Sequence, residues 1–159
     1  MGAKDLLIHQ TKLAFSEDPE MSLMISIQGL STETAVKRLN DRIWTIEEIV
    51  FHVAFWKIEY CRQGFDKWNH PVRSCLGDFI ETVDFLLTAQ AHLMECLQSC
   101  SEETLSLPIS IRCHGESAAH FFSIMAIHDV SHATQIRTIQ RMLGLSTEFY
   151  PVEETFKFS

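Results

Sequence analysis

Glycine and proline are scarce, six and four in 159 residues. Turn punctuation is therefore sparse, so the elements should be long. No Cys-x-x-Cys occurs, although there are five cysteines: Cys61, Cys75, Cys96, Cys100 and Cys113. An odd number without metal-ligand spacing argues against a cysteine zinc site or a disulfide framework and for reduced thiols in a reducing cytoplasm. Basic residues are in the minority. Thirteen Lys and Arg against 21 Asp and Glu leave a net charge of -8, which argues against nucleic acid or an anionic membrane as a partner. Long apolar runs are missing too. The stretch Ala118 to Ile127 is broken by His120 and Ser123 and is far short of a membrane span. The start, Met1-Gly2-Ala3-Lys4-Asp5, lacks the apolar core of a signal peptide, and Leu6 stands where a myristoylation site wants Ser or Thr.

What is present reads as one all-α domain over residues 1–159. Hydrophobic residues make up 46% and charged residues 21%, a globular balance. A short N-terminal helix carries Leu6, Leu7, Leu13 and Ala14. Asp18-Pro19-Glu20 predicts the start of a second helix running to Gly29 and Leu30. Thr45-Ile46-Glu47-Glu48 is a capping box opening a helix that ends near Gly64. Residues 65 to 73 read as a loop. A long helix follows from about Ser74 to Ser99, with the stripe Leu76, Phe79, Ile80, Val83, Leu86, Leu87, Leu93, Met94 and Leu97. Pro108 and Ile109-Ser110-Ile111 mark a connection. The last helix runs from near Glu116 to Gly144-Leu145. An irregular tail, Ser146 to Ser159, keeps Phe149, Tyr150, Phe156 and Phe158, expected to pack on the domain or a partner subunit. Four main amphipathic helices make a helix bundle the natural solution.

Eight histidines are present. The last helix has a core stripe of Phe121, Met125, His128, His132, Gln135, Ile136, Ile139 and Leu143, stepping by three or four. His128 and His132 thus share the buried face, one turn apart, a spacing that lets two imidazoles grip one metal ion. Asp129-Val130 follows His128, so the glutamate of the metalloprotease helix is missing. His52 lies inward in its own helix, between Ile49 and Trp56. If that helix faces the last one, His52 completes a three-nitrogen site with open positions, the pattern of a catalytic centre. Spacing alone leaves the alternative that these are hydrogen-bonded core histidines. His9, His70, His92, His114 and His120 read as surface, loop or rim residues, with His120 placed to line the mouth of the same cavity. Glu48, one turn before His52, and Gln135, three residues after His132 on the buried stripe, are candidates to orient a ring or move a proton.

His128-Asp129-Val130-Ser131-His132-Ala133-Thr134-Gln135-Ile136 resembles the His-x-x-x-His-x-x-Gln-Ile signature of the DinB/YfiT-like superfamily. Trp44 to Trp56 is similar to the family's first-histidine helix, and Leu30-Ser31-Thr32-Glu33 also fits. The resemblance implies an up-down-down-up four-helix bundle and a divalent metal on His52, His128 and His132. An all-imidazole donor set suits zinc or nickel, with iron as a further option, and the many dimers of the family imply a homodimer. The characterised relatives include bacillithiol and mycothiol S-transferases, a thiol-dependent maleylpyruvate isomerase and metal-dependent hydrolases. The expected function is therefore a cytoplasmic metal-dependent enzyme that activates a low-molecular-weight thiol or water against a small-molecule substrate. An apolar pocket lined by residues such as Phe55, Trp56 and Phe121 would receive that substrate. The alternative is a non-catalytic dimeric bundle with a structural or vestigial metal site, acting by protein interaction.

Overall fold

The computed structural model describes residues 2–65, 76–109 and 117–145. The aromatics of the tail, His70, His114, Cys75, Cys113, Ser110, Ile111 and nearly all of the expected 65–73 loop lie outside these residues. Among the described residues there are seven α-helices and no strand, only an isolated bridge between Pro108 and Ser117. No helix there is long and apolar enough to cross a membrane.

Helix α1 (Ala3–Lys12) runs directly into a π-helical turn, Leu13–Glu17. The expected helix from Asp18 to Gly29 is shorter than its pattern suggests. Asp18 Oδ1 accepts the Glu20 and Met21 N–H groups at 2.8 and 2.7 Å, an Asx-type turn. Aspartate serves a turn as readily as a helix cap, and here the turn takes it. Helix α2 (Leu23–Ile27) begins only behind Ser22, and the chain leaves it through Gly29 at φ +74°. A single turn, α3 (Thr32–Ala35), is capped by Ser31.

Helix α4 (Ile46–Phe65) opens on the expected capping box. Thr45 N–H donates to Glu48 Oε2 at 2.7 Å, and Glu48 N–H donates to Thr45 Oγ1 at 3.1 Å. Helix α5 (Phe79–Ser99) starts later than Ser74, because Asp78 caps it by accepting the Glu81 N–H at 2.8 Å. Leu76 therefore precedes the helix. Leu76, Ile80 and Leu87, counted in the apolar stripe, are 41%, 67% and 44% exposed. The buried face takes in Thr82, Ala89, Gln90 and Cys96 instead, alongside Phe79, Leu86, Leu93 and Leu97. Thr82 and Gln90 are admitted because α4 sets Glu47 and Lys57 against them. A short helix, α6 (Glu102–Ser106), leads toward α7 (Ala118–Met142). Helix α7 ends as its sequence predicts. Gly144 sits at φ +76°, Leu145 N–H reaches Gln140 O at 2.9 Å and Gly144 N–H reaches Arg141 O at 3.0 Å.

Residue pairings give the helix directions. Between α4 and α5 the numbers rise together: Glu47 meets Thr82, Phe51 meets Phe85 and Lys57 meets Gln90. These helices are parallel. Between α4 and α7 they run opposite: His52 meets His132, Lys57 meets Asp129 and Phe65 meets Phe121. The start of α1 lies at the end of α5, where Lys4 Nζ donates to the Gln98 and Cys100 carbonyls at 2.6 and 2.8 Å. The bundle is therefore up-down-down-up, with α1 and α7 opposed to α4 and α5. One apolar cluster centres on Val50, Val53, Leu86 and Ile136, and a second on Leu93, Leu97, Phe121 and Phe122.

Candidate metal centre

The antiparallel packing of α4 on α7 brings three histidine rings together. One ring nitrogen each of His52, His128 and His132 lies within 4.8 Å of the other two. The ring centroids are 4.4 Å apart for His128 and His132, 5.0 Å for His52 and His132, and 5.5 Å for His52 and His128. All three are half-buried. The i, i+4 spacing on α7 places His128 Nε2 3.1 Å from His132 Nε2. Two nitrogens bound to one zinc at about 2.0–2.1 Å in tetrahedral geometry stand about 3.3–3.4 Å apart, so this pair is already near the required spacing.

Hydrogen bonding fixes the tautomer of one ring. Gln135 Oε1 lies 2.9 Å from His132 Nδ1, and a carbonyl oxygen only accepts. His132 thus carries its proton on Nδ1 and turns the Nε2 lone pair to the cluster, the form a metal requires. Gln135 itself is exposed, not buried as the stripe suggested. It leans back over the ring from the helix surface. His128 Nδ1 is buried with no hydrogen-bond partner.

Burial pushes the His128 pKa down to about 3, with the neighbouring His132, His52 and Lys57 charges acting in the same direction. Burial, then His132, pushes His52 down to about 4. His132 is also lowered by burial, against the opposing pull of Gln135 and Asp129. The trio is therefore held neutral at physiological pH, each ring keeping one N–H and one lone pair.

Aromatic rings extend from the cluster along α4. Trp44, almost half exposed, stands 5.0 Å from the His52 ring, and Trp56 is 6.2 Å from it on the next turn. Tyr60 stacks on Trp56 at 4.9 Å and meets Phe121 edge-on at 6.4 Å. Two of the expected lining residues, Trp56 and Phe121, belong to this row. Phe55 touches its side, edge-on to Trp56. A groove of about 470 Å³ elsewhere, between α1 and α7, does not include the three histidines.

Glu48 is not aimed at the rings. Its carboxylate receives the Thr45 N–H and the Arg38 guanidinium, which hold its pKa low against the opposing effect of burial. His120 is half-buried on α7 and is not one of the three converging rings. His92 is half-buried on α5, and His9 is exposed.

Sequence reasoning missed the polar group beside this site. Lys57 and Asp129 are both fully buried, and Lys57 Nζ donates to Asp129 Oδ2 at 2.6 Å and to Gln90 Oε1 at 2.5 Å. The Phe15 ring lies 4.7 Å from the ammonium. Burial pushes Lys57 down and Asp129 up, each toward its neutral form, and their contact opposes both shifts. One signal was available. Lys57 is the single basic residue between Ile46 and Cys61, in a run otherwise too apolar to place it at the surface.

No family model and no curated protein matches the chain. A solved structure does: YfiT from Bacillus subtilis, described as a probable metal-dependent hydrolase with an unusual four-helix bundle topology. It aligns over 90% of this chain and 89% of its own, with a TM-score of 0.63 and 15% sequence identity. At that identity the likeness establishes the fold, and what the site does rests on its own residues.

Proposed function

We propose that His52, His128 and His132 hold one divalent transition metal ion and that the chain is a metal-dependent enzyme acting on a small molecule. The convergence of three imidazole nitrogens within 4.8 Å carries this reading. Three nitrogen donors suit zinc, nickel or iron, and three protein ligands leave positions open for water or substrate. The described fold of YfiT, a probable metal-dependent hydrolase, is consistent with it. An ion so held would lower the pKa of a water or thiol brought to it. The protein's own contribution is to keep the rings neutral, to hold His132 through Gln135, and to offer Trp44 and Trp56 as apolar walls beside His52.

Two reactions use such a centre: hydrolysis, and transfer of a low-molecular-weight thiol to an electrophile. One observation favours thiol transfer. The carboxylates nearest the ligands in sequence are engaged elsewhere, Glu48 by Arg38 and Thr45 and Asp129 by Lys57. With no carboxylate left to assist, the group that ionises with the smaller shift is favoured: a thiol starts from a pKa of about 8.5, water from about 15.7.

The test begins with metal content, measured by plasma mass spectrometry on untagged protein and on a His52→Ala, His128→Ala, His132→Ala variant. About one ion per chain in the parent and none in the variant is expected. Hydrolysis of a chromogenic ester and conjugation of a small thiol to a chromogenic electrophile are then compared. Turnover of the thiol assay, lost in His132→Ala, supports the favoured reaction. Ester turnover alone reverses the choice. Metal without either turnover leaves a non-catalytic bundle, and no metal after reconstitution sinks the reading.

A further inference from the structure

Trp44 is a tryptophan kept at the surface. It is 48% exposed, yet one side of its ring meets the His52 ring, with centroids 5.0 Å apart and planes tilted by 51°. Ring contacts at that separation are attractive. The indole therefore stands between the His52 imidazole and water. The backbone around it is tied at two points. The carbonyl before Trp44 belongs to Ile43 and accepts from Arg38 Nη1 at 3.1 Å. The N–H after it belongs to Thr45 and donates to Glu48 Oε2 at 2.7 Å. Arg38 Nη2 donates in turn to Glu48 Oε1. One guanidinium–carboxylate pair thus holds both peptide groups that flank Trp44. With those groups fixed, the direction of the ring is limited to its side-chain rotamers. The Arg38 and Glu48 side chains are 39% and 26% exposed, and an ion pair so open to water adds little stability. Its geometry is better accounted for by what it positions.

We infer that Trp44 is the outer wall beside His52 that limits access from solvent to the histidine trio, and that Arg38 is the positioning residue that holds it there through Ile43 and Glu48. The inference rests on the metal reading given above. It gives Glu48 a role other than proton transfer: its carboxylate anchors the segment that leads into α4. Neither Arg38 nor Trp44 is a ligand. Removing either leaves the three ring nitrogens in place and changes how readily other molecules reach them. A wall of this kind slows entry and exit of the ion by the same factor, so the rates move while the equilibrium affinity does not.

The test sets rate against affinity. Zinc release into an excess of a chromophoric chelator is timed, and zinc affinity is measured by competition with the same chelator. Trp44→Ala and Arg38→Met should release zinc about tenfold faster, with affinity within about threefold of the parent. Trp44→Phe keeps a ring in the same place and should release zinc within about twofold of the parent rate. Circular dichroism melts accompany every variant. A merely structural role for Arg38 makes a different forecast, a lower melting temperature with an unchanged release rate, and that result overturns the inference. Faster release with an equal loss of affinity overturns it too, since Trp44 would then prop a ligand rather than shield it. If Arg38→Met does not fold, Arg38→Lys decides in its place. Lysine lacks the fork that reaches Ile43 and Glu48 together, so release should again quicken. In each of these outcomes one zinc per chain leaves the metal site standing. A parent that binds no zinc, like the triple-alanine variant, overturns the metal reading and this inference with it.

Discussion

At the scale of single residues the site depends on imidazoles kept neutral and aimed. Gln135 aims one of them, by accepting from His132 Nδ1. Partners of this kind are typically worth about 10–100-fold in metal affinity. Gln135→Leu should therefore weaken zinc binding by about tenfold or more in a chelator competition, with little change in the melting temperature, because the residue is exposed. Neutrality has its own consequence. Burial places His128 at about 3 and His52 at about 4, below the ordinary imidazole value of 6.5. Below about pH 6.5 the unfolded chain binds protons that the folded trio refuses. The stability of the metal-free protein should thus be full above that pH and decline as the pH falls toward 4. Thermal melts between pH 7.5 and about 4.5 check this, and the triple-alanine variant should show a shallower decline. Equal slopes would mean that the histidines titrate normally. For the proposed metal site, the same burial should extend binding to lower pH than exposed histidines allow, since protons compete poorly for these nitrogens.

Elements hold the residues in place through their ends. Thr45 and Glu48 close the α4 capping box, and the first turn of that helix fixes the phase at which His52 and Trp56 emerge. Thr45→Ala should lower stability by about 1 kcal/mol in urea denaturation. A loss near zero would show that the Arg38–Glu48 pair caps the helix without the threonine. The capping box of α4 and the glycine motif at Gly144 were legible in the sequence because each is made by residues within a few positions of one another. The Asp18 segment misled for the same local reason. A capping residue and a turn residue share one chemistry, and nothing within Asp18-Pro19-Glu20 distinguishes a helix from the Asx-type turn observed.

Across the whole molecule the controlling fact is how helices face one another. Ile80 and Ile136 both lie in apolar stripes, yet Ile80 is 67% exposed and Ile136 is 0% exposed. Ile136→Ala should cost about 2–5 kcal/mol by leaving a cavity in the core. Ile80→Ala should stay within about 0.5 kcal/mol. Urea midpoints for the two variants check the contrast, and comparable losses would contradict the packing described. The parallel α4–α5 pair and the antiparallel α4–α7 pair settle this difference, because together they decide which part of each stripe meets another helix.

The sequence by itself determined the helical class, the ends of α4 and α7, and the one-turn spacing of His128 and His132. All of these follow from backbone geometry repeating every few residues. It also marked His52 as inward, from apolar neighbours on its own helix. Only the tertiary structure decided that His52 meets the other two, that Glu48 is held by Arg38 rather than facing the rings, and that Lys57 and Asp129 pair across 72 positions. Periodicity tells which face of a helix turns inward. The partner across the core depends on how several such faces are buried at once, and no local pattern carries that information.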